Sequence, residues 1–330
     1  MQRLTPALMV IRHLLWIVLA GAAVAAAQNQ FPVRPVRLIV PNVPGGATDI
    51  IARQLQMKIS ELWGQPVIVD NRAGASGGIA FALAAKAPPD GYTLLMSSVS
   101  ITVVETTLAK TLGSTPSRDL TGVTSVMELP HLFVVSTAVP AASVKELVEH
   151  VKKTGARLNY ATSAVGTYTQ LDAIRFLRAA GIEMTVVPYK GGAGQFIPAL
   201  MGNEAQVAMV NMASSLPHIR AGRLKVLATT WPARRPELPE VPTMTESGFP
   251  GIGTNSWNGL FAPANIPKPL LNRIHADVVK VMDTTAMKEQ LARQFMSVVL
   301  SKTPAEFTAF LRQEVQKWRQ VVIENNIKVE

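Results

Sequence analysis

An α/β fold is predicted here by two observations. Short apolar runs with strand character alternate with stretches whose apolar residues recur at helical spacing, and the turns leading from a strand into the next helix consist of glycine, proline and hydroxyl residues. The first such unit is the most informative. Val36 to Val40 is short and largely apolar, as a buried strand should be, and Ile50, Ile51, Leu55 and Ile59 mark the helix that follows. Between them, Pro44, Gly45, Gly46, Ala47, Thr48 and Asp49 fall at a helix N-terminus. Unpaired backbone N–H groups and the positive end of the helix dipole meet there, and Gly45 and Gly46 let a ligand approach the backbone closely. The stretch reads either as an anion cradle suited to a carboxylate or as an ordinary strand-to-helix turn.

The same plan repeats along the chain. Pro66 to Asp70 is predicted as a strand, followed by a loop through Gly74, Ala75, Ser76, Gly77 and Gly78 and a helix from Ile79 to Ala87. After the turn Pro88-Pro89-Asp90-Gly91, Tyr92 to Met96 is a third strand ending in Ser97, Ser98, Val99 and Ser100. Leu132 to Val135 is β-rich. Ser143-Val144-Lys145-Glu146 fits a capping box and opens a helix through Lys153. Leu158 to Ala161 is a strand leading into Ser163, Gly166 and Thr167, and Thr185 to Tyr189 leads into Lys190, Gly191 and Gly192, then a helix to Met201. Ala205 to Val210 and Leu224 to Thr229 are further strands. Prolines 232, 236, 239, 242, 250, 263, 267 and 269 predict that residues 230 to 270 wander over a surface without long elements. Two helices are expected to close the chain. The last starts at Thr303-Pro304-Ala305-Glu306, with Phe307, Phe310, Leu311, Val315, Trp318 and Val322 on one apolar face.

The start of the chain concerns location. Arg3 and Arg12 precede an apolar run from Leu14 to Ala26, and Ala25-Ala26-Ala27 suits signal peptidase, so residues 1–27 are predicted to be a cleaved signal peptide. An uncleaved anchor is the weaker reading, because the run is short for a membrane span and polar Gln28-Asn29-Gln30 follows it. With no cysteine, the chain carries neither a lipidated cysteine nor a disulfide, although an exported location would permit one. A free, soluble, exported protein is expected. The formal charge of +10 loses two positives with the leader yet stays basic, which favours anionic partners. The cations are scattered, without an aromatic-interleaved cluster, so nucleic acid is not an expected partner.

Several chemistries are excluded by pattern. Gly74-Ala75-Ser76-Gly77-Gly78 matches the G-x-S-x-G nucleophile elbow, but the predicted strand ends near Val69, too early, and His131, His150, His218 and His275 lie in stretches without site character. An exported serine hydrolase using Ser76 is the alternative from another class. No metal is expected, since no histidines sit at ligand spacing and no calcium loop is present. Neither a P-loop nor a dinucleotide fingerprint follows a strand, so no cofactor is expected. What remains is a set of glycine and hydroxyl loops at strand ends, which suit binding of a small anion rather than chemistry on it.

These residues resemble a known family. The segment Phe31 to Pro41 through Pro44-Gly45-Gly46-Ala47-Thr48-Asp49, with Asn71-Arg72-Ala73-Gly74-Ala75, Ala87 to Leu95, Pro188-Tyr189-Lys190-Gly191-Gly192, Leu216-Pro217-His218-Ile219 and Trp257 to Pro263, is similar to the Bug family of extracytoplasmic solute receptors, the binding components of tripartite tricarboxylate transporters. The resemblance covers the whole mature chain and rests on the order and spacing of motifs that are individually weak. It implies a two-lobed periplasmic binding protein, type II-like, with a hinge and an interlobe ligand cleft. It further implies discontinuous lobes, 28–127 plus 229–330 and 128–228, with Leu132 to Val135 and Leu224 to Thr229 as crossover strands. The expected ligand is a small organic carboxylate. Its implied partners are permease subunits or, alternatively, a sensor kinase, and the protein is expected to be a monomer and not an enzyme.

On this resemblance one carboxylate would lie on Pro44 to Asp49 and Gly74, Ala75, Ser76 and Gly77, near Ser97, Ser98 and Ser100. The second lobe would offer Ser163, Gly166, Thr167, Gln170, Tyr189, Lys190, Gly191 and Asn211. The chain departs from the family pattern in four places: Gln170 where many relatives carry histidine, Val210-Asn211 where many carry Asp-Asn, Ala80 for glycine, and Asn258 for an aromatic after the tryptophan. A more apolar, less pH-sensitive distal pocket is implied, hence an aromatic or partly apolar carboxylate rather than a short amino-dicarboxylate. Plainer readings stand beside these. Asp49 either complements its helix dipole or contacts ligand or water, Lys190 is a solvated charge or a cleft residue, Trp257 is core or a stacking platform, and Tyr189 is open.

Overall fold

A computed structural model of the chain describes residues 31–108, 112–163, 165–189 and 192–327. The predicted signal peptide, Lys190 and Gly191 lie outside the described residues.

β1 (Val36–Val40) runs parallel to β2 (Val67–Asn71) on one side and β3 (Thr93–Ser98) on the other. Its residues alternate between two cores: Val36, Leu38 and Val40 pack against Ile51, Leu55 and Ile59 of α1 (Ala47–Trp63), while Ile39 faces Phe81 of α2 (Gly78–Ala85). Gly64, in the left-handed region, ends α1 by donating its N–H to the Ser60 carbonyl. After β3 come α3 (Ser100–Thr107), the short α4 (Pro116–Asp119) and β4 (Leu120–Leu129), a ten-residue strand beyond those expected from the sequence.

Pro130 alone separates β4 from β5 (His131–Ser136), which belongs to a second sheet. That sheet is completed by β6 (Asn159–Thr162), β7 (Thr185–Pro188), β8 (Val207–Asn211) and β9 (Leu224–Thr229) in the order β7-β6-β8-β5-β9. Helices α5 (Val144–Thr154), α6 (Tyr168–Ala180), α7 (Ala193–Met201) and α8 (Met212–Arg220) connect its strands. Phe133 and Val135 face one core and Leu132 and Val134 the other, so this sheet too is covered on both sides.

The chain then returns to the first sheet as β10 (Ser256–Pro263), which inserts antiparallel between β4 and β3. This corrects the expectation for residues 230 to 270. All eight residues of β10 are buried, and the prolines flank the run from Ser256 to Ala262 instead of interrupting it, with Pro263 at its last position. Three helices rather than two follow, α9 (Lys268–Met282), α10 (Thr285–Ala292) and α11 (Pro304–Glu324), with β11 (Ser297–Val298) pairing to the edge of β4. The first sheet reads β11-β4-β10-β3-β1-β2. α11 docks through Phe307 and Trp318, both wholly buried, against β10, where Gly259 leaves no room for a Cβ beneath the Phe307 ring. Trp257 is part of this core, edge-on to Phe307 and Phe310 at 5.9 and 5.4 Å between ring centroids. The result is a two-lobed α/β architecture, one mixed sheet in each lobe.

Candidate ligand-binding site

The loop from β1 into α1 is held by one carboxylate. Asp49, in the first turn of α1, accepts hydrogen bonds from the Gly45 N–H, from Arg53 Nε and from Asn71 Nδ2, each at 2.9 Å. Asn71, at the end of β2, also donates to the Asn42 carbonyl at 3.0 Å and accepts from Arg53 at 3.1 Å. Loop, helix and neighbouring strand are therefore tied at one point. Burial pushes the Asp49 carboxyl up, but the hydrogen bonds from Arg53, Gly45 and Asn71 and the Arg53 charge outweigh it and hold its pKa below the ordinary 3.8. Asp49 thus acts on the loop's shape, a third reading beside the two the sequence left open. Gly45 turns the loop at φ +92°, a conformation that favours glycine. The N-cap is Gly46, which has no side chain to satisfy the first-turn N–H groups of α1.

The next loop is a single 3₁₀ turn, Ala75–Gly77, in which Ala75 and Ser76 both adopt positive φ, and α2 starts uncapped at Gly77. Ser76 is exposed. The hydrogen bonds of His131 and His275 run to Tyr168 and to the Ser301 carbonyl, so neither ring serves Ser76 as a base. At the end of β3, Ser98 Oγ accepts the Ser100 N–H at 3.4 Å, and Ser97 is fully buried. Beside Ser97 lies Asn258 of β10, whose Nδ2 donates to Thr48 Oγ1 at 2.8 Å and to the Ser97 carbonyl at 3.2 Å. The sequence marked Asn258 only as unusual. Its partner Thr48 is 210 positions away, and no local pattern could have paired them.

In the second sheet's body, the loop from β6 into α6 is held without charge. Thr169 Oγ1 accepts the Ser163 N–H at 3.0 Å and bonds the hydroxyls of Thr167 and Ser163 at 3.0 and 3.2 Å. Gln170 Oε1 accepts the Gly166 N–H at 2.7 Å, so its carbonyl faces the loop. Behind it, Tyr168 Oη meets His131 Nε2 at 3.1 Å. Desolvation pushes His131 down to about 4, against a smaller upward pull from the Leu129 backbone. The Gly166 carbonyl accepts from Thr107 of α3 at 2.9 Å, which joins this loop to the first sheet's body. A pocket of ≈ 400 Å³ opens beside that contact, lined by Leu108, Val165, Gln170 and Arg178 among others.

Two predicted residues are engaged elsewhere. Tyr189 donates to Glu204 at 3.0 Å and packs edge-on against Phe196, and Asn211 caps α8 by accepting the Ser214 N–H at 2.8 Å. Among the described residues no group of His, Asp and Glu is arranged to hold a metal ion, and no helix is long and apolar enough to cross a membrane.

Residues 51–327 match the model of the tripartite tricarboxylate transporter family receptor, TctC. The chain belongs to that family. Protein BugT of Bordetella pertussis is 32% identical over 316 residues, 96% of each chain. An R. palustris protein solved with adipate superposes with a TM-score of 0.82 at 30% identity, covering 90% of this chain and 99% of that one. MatC from Rhodopseudomonas palustris, solved with malate, gives 0.78 at 28% identity over 88% of this chain and all of its own. The TctC family is one of periplasmic solute-binding receptors for small carboxylates, not of enzymes, and its fold is the two-lobed binding-protein fold seen here.

Proposed function

We propose that this chain is a periplasmic receptor that closes two lobes on a small organic carboxylate and delivers it to the permease of a tripartite tricarboxylate transporter. One observation carries the reading: the loop that opens α1 is fixed from within by Asp49, while among the described residues no side chain caps the first turn of α1. That is a preorganised donor site for an anion. α2, α6 and α7 likewise start without a side-chain cap, at Gly77, Thr167 and Gly192. The lobes would comprise residues 28–127 plus 229–330 and 128–228, with closure about the passages from β4 to β5 and from β9 to β10. Residues 1–27 would direct export and be removed, and the receptor would act as a monomer.

One carboxylate would sit on Pro44 to Asp49 with Gly74 to Gly77, Ser98 and Ser100, and the second lobe would close with Ser163, Gly166, Thr167, Lys190 and Gly191. Relatives solved with adipate and malate support carboxylates as the ligand class. Exposed Val43, Ile79 and Val165 stand on or beside these same loops and support a ligand whose far end is partly apolar, such as an aromatic carboxylate. A thermal-shift screen of the chain from Gln28 against mono-, di-, tri- and aromatic carboxylates and amino acids tests this, because a ligand of the folded state alone raises the midpoint. A shift with aromatic or long-chain acids is expected. Binding of aspartate or glutamate with no response to aromatic acids would refute the apolar end, and silence across the panel would refute the receptor reading.

A further inference from the structure

Thr48, Ser97 and Asn258 meet beneath the cradle, and their hydrogen bonds do not close among themselves. Asn258 is wholly buried, as is Ser97, and Thr48 is 7% exposed. The Asn258 amide has one orientation. A carbonyl oxygen can only accept, so the amide atom 3.2 Å from the Ser97 carbonyl has to be the nitrogen. The same nitrogen donates to Thr48 Oγ1 at 2.8 Å. Thr48 therefore accepts on that side, and its own proton points elsewhere. Threonine hydroxyls in helices commonly return that proton to a carbonyl one turn back, as Thr154 does to His150, but among the described residues Thr48 has no such bond. Among the described residues no acceptor takes the Thr48 proton, which belongs to the first turn of α1 beside the uncapped N–H groups. Asn258 Oδ1 and Ser97 Oγ, both fully buried, have no partner among the described residues either. Polar groups left unpaired in a core are costly, so their place under a donor-rich loop calls for a physical reason.

Resting on the receptor reading above, we propose that Asn258 is a positioning residue of the ligand site: it makes the Thr48 hydroxyl an obligate donor toward the anion seated on the α1 N-terminus. The cradle then presents donors only. It accepts an ionised carboxylate, which is acceptor-only, and disfavours a carboxamide, whose NH₂ would face N–H and O–H groups.

The test is calorimetric titration of the chain from Gln28 with adipate and with phenylacetate, comparing wild type with Thr48→Val, Thr48→Ser, Asn258→Leu and the Thr48→Val/Asn258→Leu pair. Thr48→Val and Asn258→Leu are each expected to weaken binding about tenfold, the pair no more than either alone, and Thr48→Ser to stay near wild type. A purely structural Asn258 would give losses that multiply in the pair, and that result overturns the proposal, as does Asn258→Leu titrating like wild type. Both outcomes leave the receptor reading standing, whereas a wild-type protein that binds neither acid removes both. If Asn258→Leu does not fold, Asn258→Ala removes the same donor without added bulk and leaves the Thr48 hydroxyl free to turn its proton inward. It is expected to lose about tenfold in adipate affinity, and wild-type affinity in it refutes the proposal.

Discussion

Asp49 and Gln170 do the same job at the same spacing in different lobes. Each sits in the first turn of a helix and reaches back four residues to accept the N–H of a glycine, Gly45 in one case and Gly166 in the other. Neither helix start makes a side-chain cap hydrogen bond, in contrast to α5, α8, α10 and α11, where Ser143, Asn211, Thr284 and Thr303 accept the backbone N–H three residues on. Pinning a loop from inside the helix fixes its shape without consuming the helix's own donors. The chemistry of the pin differs. The first loop is held by a buried charge gripped by Arg53 and Asn71, the second by neutral amide and hydroxyl groups. A charged pin is harder to remove and responds to acid, while a neutral pin does neither.

The largest expected effect breaks the first pin. Asp49→Ala leaves the Gly45 N–H without its acceptor and the Asn71 amide with the Asn42 carbonyl alone, and is expected to cost about 3 kcal/mol in urea unfolding. Arg53, half exposed, stays solvated, which keeps the cost from rising further. A loss below about 1 kcal/mol would mean the carboxylate does not organise the loop.

Acid should separate the two lobes. Asp49 is held below its ordinary value, so its contribution is present above 3.8 and lost only as pH falls through that lower folded value. His131, behind the second loop, is pushed by burial from 6.5 to about 4. Its contribution is complete above 6.5 and lost as pH falls toward about 4, because only the unfolded chain takes up the proton. Between pH 7 and pH 5 this amounts to about 2 kcal/mol. Burial raises Asp172, which works in the opposite direction, so the quantity to measure is the difference in pH slope between wild type and His131→Gln. Equal slopes would show that His131 takes up its proton in the folded state.

Much of this was legible in the sequence, and what was not has physical causes. The β1 to α1 unit, the Ser143–Glu146 box and the Thr303–Glu306 start were readable because helix starts and buried strands are local patterns; both N-cap hydroxyls accept the glutamate N–H, and the glutamates reach back to the N–H groups of Ala142 and Lys302, one residue before the cap. β10 was hidden because flanking prolines weigh against a strand in any short window, while its place between β4 and β3 depends on partners more than a hundred residues away. The loops of the candidate site were visible as glycine and hydroxyl clusters. The directions of their side chains were not: Asp49 turns to its own loop, Gln170 offers its carbonyl to Gly166, and Tyr189 bonds Glu204. Hydrogen-bond direction is set by tertiary neighbours, which composition does not carry.

The smallest expected effect sharpens the comparison most. Gln170→Leu removes the acceptor of the Gly166 N–H and leaves the Thr169 hydroxyl contacts in place, so about 1 kcal/mol is the expected loss in urea unfolding, the worth of one neutral hydrogen bond. Because Thr169 holds Ser163 independently, combining Gln170→Leu with Thr169→Val should cost more than either alone. If Gln170→Leu instead destabilises as much as Asp49→Ala, charge is not what distinguishes the two pins. The burial of the loop against Thr107 and Leu108, where a Cβ on Gly166 would stand 3.1 Å from Thr107 Oγ1, would then be the stronger restraint.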